Sequence, residues 1–516
     1  MSDTPFPLAS GSATDAALPK DKAVLVIGAG TMGAGIAEVA ACAGHHVWLR
    51  DANADALARG LQQIQASLDR RVAKGKLEAG QRDQIVSRVG TTGTDGLLPD
   101  VGLVIEVIVE NLDAKAAVLR QVEAQVAPDA IIASNTSSLS ITAIASRLAR
   151  PERFVGMHFF NPATALPLVE VVSGHATDPA VARAITATAR AWGKTPVACR
   201  STPGFIVNRV ARPFYGEALR VLQEQAATPA TLDAVMRESG GFRMGPCELM
   251  DLIGHDVNHA VTRSVWQAFF EDPRYRPSLI QQNLVDAGWL GRKSGRGFFD
   301  YRDGAPASAP SDHLVADGPP REVRIGAVKA ATRALLPLLK ARSELDVAAS
   351  GGEIWRVDGV AFALTDGRTA TQRATELGEP LVLFDLAQDY AECTRIALAA
   401  SADATAEQVD RVAALFVLLG KRVSVLADTP GLLVARTVAM LVNEAADAVL
   451  QGVATEADVD QAMRKGVNYP MGPLAWGRRI GLEQIAVMLR HMAAAYGEDR
   501  YRASLWLERE ARAKPL

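Results

Sequence analysis

Cysteine is scarce in this chain, long apolar runs are missing, and neither sign of charge prevails. The four cysteines (Cys42, Cys199, Cys247 and Cys393) lie far apart, show no CxxC spacing and are too few to staple a chain of 516 residues. A reducing compartment and no metal site are expected. No segment approaches the roughly 18 uninterrupted apolar residues of a membrane span. Met1 to Lys20 lacks the charged n-region and apolar h-region of a signal peptide, and reads as a loose tail. A cytoplasmic protein with no membrane partner is the expectation. The formal net charge is −3, and no basic block of the kind that tracks phosphate backbones breaks the interspersed charges, which argues against nucleic acid.

What is present is enough sequence for several domains. An apolar, branched run from Ala23 to Ile27 ends in glycines, and after a helix-length stretch a second run follows at His46 to Leu49. Further runs at Gly102 to Ile108 and Ala130 to Ala133 alternate with helical segments, the pattern of an α/β domain whose parallel sheet is covered on both faces. Past Thr202 the periodicity becomes helical, and a stretch rich in Pro, Gly, Ala and Ser follows the helical unit.

The chain also repeats itself. Thr202-Pro203-Gly204 recurs as Thr429-Pro430-Gly431, and Met244-Gly245-Pro246 as Met471-Gly472-Pro473, both at an offset of 227 residues. The same offset sets Gly193-Lys194 on Gly420-Lys421, Glu217 on Glu444 and Asp233 on Asp460. The helical unit is therefore duplicated. The expected organisation is a tail (1–20), a Rossmann-like dinucleotide-binding domain (21–201), a helical domain (202–302), a linker (303–321), a degenerate α/β segment without a glycine fingerprint (322–427) and a second helical copy (428–516).

Gly28-Ala29-Gly30-Thr31-Met32-Gly33 follows the first strand and opens a helix, the context in which a GxGxxG motif has physical meaning. Gly28 allows the tight turn, Gly30 lets the backbone approach a pyrophosphate, and Gly33 lets helix and strand pack closely. Asp51 ends the second strand, where a carboxylate accepts bonds from both ribose hydroxyls of NAD and repels the 2′-phosphate of NADP. NAD is the expected cofactor; Arg50 is the residue that would serve a 2′-phosphate instead.

Three polar clusters stand at the carboxyl ends of the strands: Glu110-Asn111, Ser134 to Ser138, and His158 to Asn161. Val155 to Phe160 and Leu166 to Val172 form two strand-like runs about a short loop, so a hairpin centred near Thr164 sets His158 opposite Glu170. An imidazole removes a hydroxyl proton as a hydride leaves the same carbon, and a carboxylate fixes its tautomer and stabilises the imidazolium. A buried ion pair that merely ties two strands together is the alternative reading.

These stretches resemble the 3-hydroxyacyl-CoA dehydrogenases. The likeness is carried by the glycine motif, Val109-Glu110-Asn111, Ser134-Asn135-Thr136-Ser137-Ser138, His158-Phe159-Phe160-Asn161-Pro162, Thr202 to Arg209, and Gly291 to Gly297, and it spans most of Ala23 to Tyr301. The resemblance implies that Ser137 and Asn208 hold the substrate's C3 oxygen and the nearby thioester carbonyl, that His158 takes the proton and that Glu170 supports it. It implies cofactor contacts from Glu110, Lys115, Ser137, Asn161 and Lys293, and CoA contacts from the helix carrying Ser67 and Lys74. The tandem arrangement is most similar to bacterial members that oxidise 3-hydroxyadipyl thioesters in phenylacetate degradation, or 3-hydroxybutyryl thioesters; Arg212 and Arg243 are candidates to meet a terminal carboxylate. Ala435 stands at the position of Asn208 in the second copy, so that half is expected to be catalytically silent. It is expected to pack against the first helical domain, burying within one chain a surface that shorter relatives bury in a dimer; a homodimer of the whole chain stays open. A 3-hydroxyisobutyrate or 6-phosphogluconate type dehydrogenase would use a lysine base, which the His158 and Glu170 hairpin argues against, and a crystallin-like relative would need no intact site.

Overall fold

The computed structural model describes residues 16–316 and 318–513. The chain forms two compact units: one runs to Arg209 and takes in Gln451–Val467, the other comprises Val210–Leu450 and the chain from Asn468 onward. Among the described residues no helix is long and apolar enough to cross a membrane.

The first unit is built on eight strands: β1 (Ala23–Ile27), β2 (Val47–Arg50), β3 (Val89–Thr91), β4 (Val101–Glu106), β5 (Ile131–Ser134), β6 (Phe154–Phe159), β7 (Leu168–Ser173) and β8 (Thr195–Arg200). Their order is β3-β2-β1-β4-β5-β6-β7-β8, and only the β6–β7 pair is antiparallel. Every residue of β1 and β6 is buried, as expected of strands covered by helices on both faces. The order reverses between β1 and β4, which opens a ligand crevice at their carboxyl ends. Of the expected tail, residues 1–15 lie outside the described residues. Its last part is anchored: the Leu18 N–H donates to Thr188 Oγ1 at 2.9 Å, and the Leu18 side chain packs on the core.

The second unit holds a second sheet within the degenerate α/β segment expected over 322–427. Its strands are β9 (Glu322–Ile325), β10 (Asp346–Ala349), β11 (Trp355–Val357), β12 (Val360–Leu364), β13 (Leu381–Phe384), β14 (Arg395–Ala400) and β15 (Arg422–Val425), in the order β10-β9-β11-β12-β13-β14-β15. From β12 to β15 the pairings run parallel, antiparallel, parallel, as they do from β5 to β8. The β9–β10 pair is parallel like β1–β2, and β11 runs antiparallel to both its neighbours. This sheet is one strand short of the first. The stretch 303–321 is irregular but not a free linker, because the Ser311 N–H donates to Thr231 Oγ1 at 2.9 Å and the His313 N–H to the Val423 carbonyl at 2.7 Å.

Within the second unit the two helical copies meet through reciprocal bonds. Glu217, in the helix Arg212–Gln223, accepts from Arg500 Nε and the Tyr501 hydroxyl, each at 2.9 Å. Its repeat equivalent Glu444, in the helix Val434–Leu450, accepts from Arg274 Nη1 at 3.3 Å and the Tyr275 hydroxyl at 2.5 Å. Each copy thus docks an Arg-Tyr pair on the other copy's buried glutamate, the self-complementary pattern of a twofold dimer realised inside one chain.

The copies also exchange a helix. Pro229–Glu238 of the first copy packs against β14, where Ser239 Oγ donates to the Arg395 carbonyl at 2.7 Å and the Ala427 N–H to the Ala226 carbonyl at 3.1 Å. Glu456–Gly466 of the second copy packs against β7 and β8, where the Arg200 N–H donates to the Val453 carbonyl at 2.9 Å. Within the second helical copy, Gln451–Val467 groups with the first unit, and Gly466 seats closely against the Leu168 side chain of β7, leaving no room there for a β-carbon.

Candidate active site

Each glycine of the fingerprint answers a different steric demand. Gly28 has φ of +108°, and a β-carbon there would lie 2.6 Å from the Val107 carbonyl oxygen. A β-carbon on Gly33 would fall 1.7 Å from the Gly28 oxygen, so the helix Thr31–Cys42 packs against the turn only with glycine at that place. Gly30 faces open space, and the helix it precedes has no side-chain cap, so the N–H groups of Thr31, Met32 and Gly33 remain available to a phosphate. Asp51 fixes the turn by accepting the N–H of Ala29 and of Asn53, both at 2.8 Å. Arg50 is buried and donates to Gln125 Oε1 at 2.9 Å, which takes it out of reach as a 2′-phosphate ligand. These residues fit NAD.

His158 on β6 and Glu170 on β7 face each other in the antiparallel register. His158 is 5% exposed and Glu170 is fully buried, with Nδ1 and Oε2 2.7 Å apart. Neither group is tolerable alone on strands this apolar. Glu170 Oε1 also accepts the N–H groups of Ile206 and Val207, at 3.1 and 2.9 Å, which ties the carboxylate to the start of the helix Val207–Val210 that carries Asn208. An ionised Glu170 only accepts, so it places the proton on Nδ1 and leaves Nε2 as the basic nitrogen. The rings of Phe160 and Phe205 flank the imidazole at 4.5 and 5.9 Å.

Asn208 Nδ2 lies 3.4 Å from the Ser137 carbonyl oxygen, and Ser137 donates its N–H and hydroxyl to Glu110 Oε1 at 2.7 and 3.0 Å. Burial pushes the Glu110 carboxyl up, but Lys115 and the donors of Ser137 and Thr136 outweigh it and hold the group below the ordinary carboxylate range. The structure thus brings His158, Glu170, Asn208, Ser137 and Glu110 into one bonded constellation, with Asn161 exposed on the loop after β6. Asn111 is spent on capping the helix Leu112–Glu123.

Lys115 has a different place from the one expected of a cofactor contact. It is 1% exposed and donates to Glu106 Oε1 at 2.7 Å and the Ile108 carbonyl at 3.1 Å, while lying 3.5 Å from Glu110. It props Glu110 from beneath. Sequence reasoning missed Glu106, the fully buried carboxylate that also binds Ser134 Oγ at 2.6 Å; a lone acid inside the apolar run of β4 was the signal. It also missed Asn135, whose Oδ1 accepts the Phe159 N–H at 2.7 Å and joins the loop after β5 to β6. Lys293 lies in the second unit, ion-paired to Asp256 at 2.6 Å. In the helix Ala54–Ala73, Ser67 is turned to Glu38, while Lys74 at its end is exposed.

The comparisons with known proteins match this architecture segment by segment. Residues 23–202 match the 3-hydroxyacyl-CoA dehydrogenase NAD-binding domain, residues 204–301 and 431–516 both match the C-terminal domain, and residues 362–430 match the 3-hydroxybutyryl-CoA dehydrogenase reduced Rossmann-fold domain. A 3-hydroxyadipyl-CoA dehydrogenase of Escherichia coli (strain K12) is 44% identical over 489 residues, 95% of this chain and 97% of that protein. The chain belongs to the 3-hydroxyacyl-CoA dehydrogenase family. NAD is the cofactor of this family's N-terminal domain. A crystal structure of a 3-hydroxybutyryl-CoA dehydrogenase from E. coli K12 superposes with a TM-score of 0.87 at 44% identity, covering 95% of this chain and 98% of that one. Human mitochondrial hydroxyacyl-coenzyme A dehydrogenase is 40% identical over 303 residues, 57% of this chain and 96% of that protein. Such shorter 3-hydroxyacyl-CoA dehydrogenases match little more than the first half of the chain.

In the second half of this 3-hydroxyacyl-CoA dehydrogenase the repeat offset runs further back than the helical copies. It sets His158 on Asp385 and Glu170 on Ala397, and these two are bonded neighbours in the second sheet: the Asp385 N–H donates to the Ala397 carbonyl at 2.9 Å. Asp385 Oδ2 accepts the N–H groups of Leu433 and Val434 at 3.0 and 2.7 Å, the equivalents of Ile206 and Val207. The carboxylate that anchors the helix has moved to the neighbouring strand, and no imidazole remains beside it.

Proposed function

We propose that the chain oxidises a (3S)-3-hydroxyacyl-CoA to the 3-oxoacyl-CoA with His158 as general base and Glu170 as its positioning partner. The bonded chain from Nδ1 of His158 through Glu170 to the Ile206 and Val207 N–H groups carries this reading, because it leaves Nε2 as the proton acceptor. Nε2 takes the C3 hydroxyl proton, the C3–O bond becomes a carbonyl, and Glu170 stays ionised and stabilises the imidazolium. Bound NAD supplies the acceptor for the hydride that leaves C3. Ser137 and Asn208 hold the oxygen and the thioester carbonyl, Glu110 fixes Ser137, and the exposed Lys74 serves the CoA phosphates. The second half, with Ala435, Ala397 and Asp385 at the three positions, is catalytically silent.

We infer further that the acyl group ends in a carboxylate, as in 3-hydroxyadipyl-CoA. Arg212 supports this: it is 7% exposed, donates to Thr262 Oγ1 at 3.1 Å, and has no carboxylate partner among the described residues. Its guanidinium lies 4.9 Å from the Tyr215 ring centroid, and its Nε has no hydrogen-bond partner among the described residues, which suits a carboxylate ligand. Arg243 is exposed and carries no such demand. The test is NADH absorbance with 3-hydroxyadipyl-CoA and 3-hydroxybutyryl-CoA on the wild type and Arg212→Met. The variant is expected to lose about 10- to 100-fold in kcat/KM for the adipyl thioester alone. Equal losses on both thioesters would remove Arg212 from substrate choice, and no turnover of either by the wild type would sink the proposal.

A further inference from the structure

The second unit contains a cavity of about 280 Å³, close to the lower end of the roughly 300–1,000 Å³ typical of small-ligand sites. Its place is informative. Ala435 lines it at the repeat position of Asn208, and Leu386 lines it next to Asp385, the repeat position of His158. Thr365 and Asp366 line it just after β12, as Thr136 and Ser137 follow β5. The cavity is thus the second half's counterpart of the positions that carry chemistry in the first.

Its inner wall is apolar where the first half carries Asn208, and its polar residues are Lys329, Thr365, Asp366, Glu483 and Gln484. Ala435 has no side-chain donor, Leu386 replaces the aromatic Phe159, and Ile485 and Met488 of the helix Leu482–Tyr496 supply the opposite wall. Asp385 is turned away to backbone N–H groups. At the rim stands Lys329. It follows Ile325-Gly326-Ala327-Val328 at the end of β9 as Thr31 follows Ile27-Gly28-Ala29-Gly30 at the end of β1, and only the first of the three fingerprint glycines has a counterpart here. Val328, 38% exposed, stands in the place of Gly30, and the Lys329 ammonium has no acidic partner among the described residues. Asp366 is already ion-paired with Arg368 and lies 3.6 Å from Arg373, so the cations Lys329, Arg368 and Arg373 outnumber the acids Asp366 and Glu483 at this end of the cavity.

We propose that this cavity is a second, non-redox binding site for an unbranched acyl chain ending in an anionic group, with the chain against Leu386, Ala435 and Met488 and the anion at Lys329. The ligand is the free carboxylic acid, because in its CoA thioester that carboxylate has become an uncharged carbonyl. The full-length protein is photolabelled with a hexanoate that carries a diazirine on its chain, and the crosslinked peptides are identified by mass spectrometry. Crosslinks are expected in the helix Leu482–Tyr496. Competition by plain hexanoate and none by hexanoyl-CoA is expected; competition by hexanoyl-CoA alone overturns the proposal. Val487→Trp, which fills the cavity from its half-exposed side, abolishes the labelling. Lys329→Glu, on an exposed turn that the fold tolerates, weakens it about tenfold. No crosslink in that helix, or crosslinks that persist in both variants, overturns the proposal. The readout needs no turnover, so a failure of the catalytic assignment leaves it standing.

Discussion

Replacing Glu170 by Gln separates the positioning role of the carboxylate from its structural one. The amide is nearly isosteric, and its one oxygen still accepts the Ile206 and Val207 N–H groups now held at 3.1 and 2.9 Å. That places the amide NH2 toward His158 Nδ1, 2.7 Å away in the native pair. Two donors cannot face each other, so Nδ1 becomes an acceptor and the ring proton moves to Nε2, where a base is needed. The wrong tautomer in a comparable acid-histidine pair costs about 10⁴ in rate. With His158 and Glu170 both buried, a fall of about 10³ to 10⁴ in kcat is expected, or about 4–5.5 kcal/mol of barrier. Glu170→Ala adds a stability loss that Glu170→Gln does not, of about 1–3 kcal/mol for each N–H left unpaired. The assay is NADH absorbance at saturating thioester, with urea denaturation of each variant beside it. A Glu170→Gln enzyme within tenfold of wild-type kcat would refute the reasoning.

Gly30→Ala should fold normally and raise KM for NAD, since its methyl enters open space, whereas Gly33→Ala should lose soluble protein because its methyl overlaps the Gly28 oxygen; expression yield and a dinucleotide titration distinguish the two. Glu444→Ala leaves Arg274 without that partner in a buried interface and should cost about 3–5 kcal/mol in chemical denaturation, with Glu217→Ala comparable through Arg500; a loss below about 1 kcal/mol would deny these bonds their role. The folded Glu110 carboxyl titrates below its ordinary value. Its stabilising contribution is therefore fully present above the ordinary carboxylate range and disappears as pH falls through the folded value. The Tm difference between wild type and Glu110→Gln should accordingly be full at about pH 7 and shrink as the pH falls below the ordinary carboxylate range, and a difference that grows in acid would contradict the assignment.

Much of this was legible in the residues because the signals are local. A loop symmetric about Thr164 sets the register of His158 and Glu170, and the glycine turn declares itself by strand, spacing and helix. The offset of 227 residues also reaches Asp385 and Ala397 without a gap, so the transfer of the anchoring carboxylate was readable, had the comparison been carried back past Gly193. Other features depend on distant partners. Lys115 reads like any helical lysine until Glu106 is seen beneath it. The second α/β segment was expected from the apolar runs that became β12 and β13, whereas β11, with three residues and a reversed direction, gave no such signal. Nothing within Glu456–Gly466 announces which sheet it will cover, since an amphipathic helix specifies that it must be buried and leaves the choice of partner to the rest of the chain.

That helix gives the silent half a reason to persist. Without it, Leu168 on the strand bearing Glu170 would lose the surface that shields it, and the His158–Glu170 pair would rest on a sheet with one flank stripped. An enzyme shortened to its two catalytic domains would need a second molecule to lend the missing cover. Substitutions far along the chain, in residues that never meet substrate, can therefore blunt turnover by loosening the strand from behind.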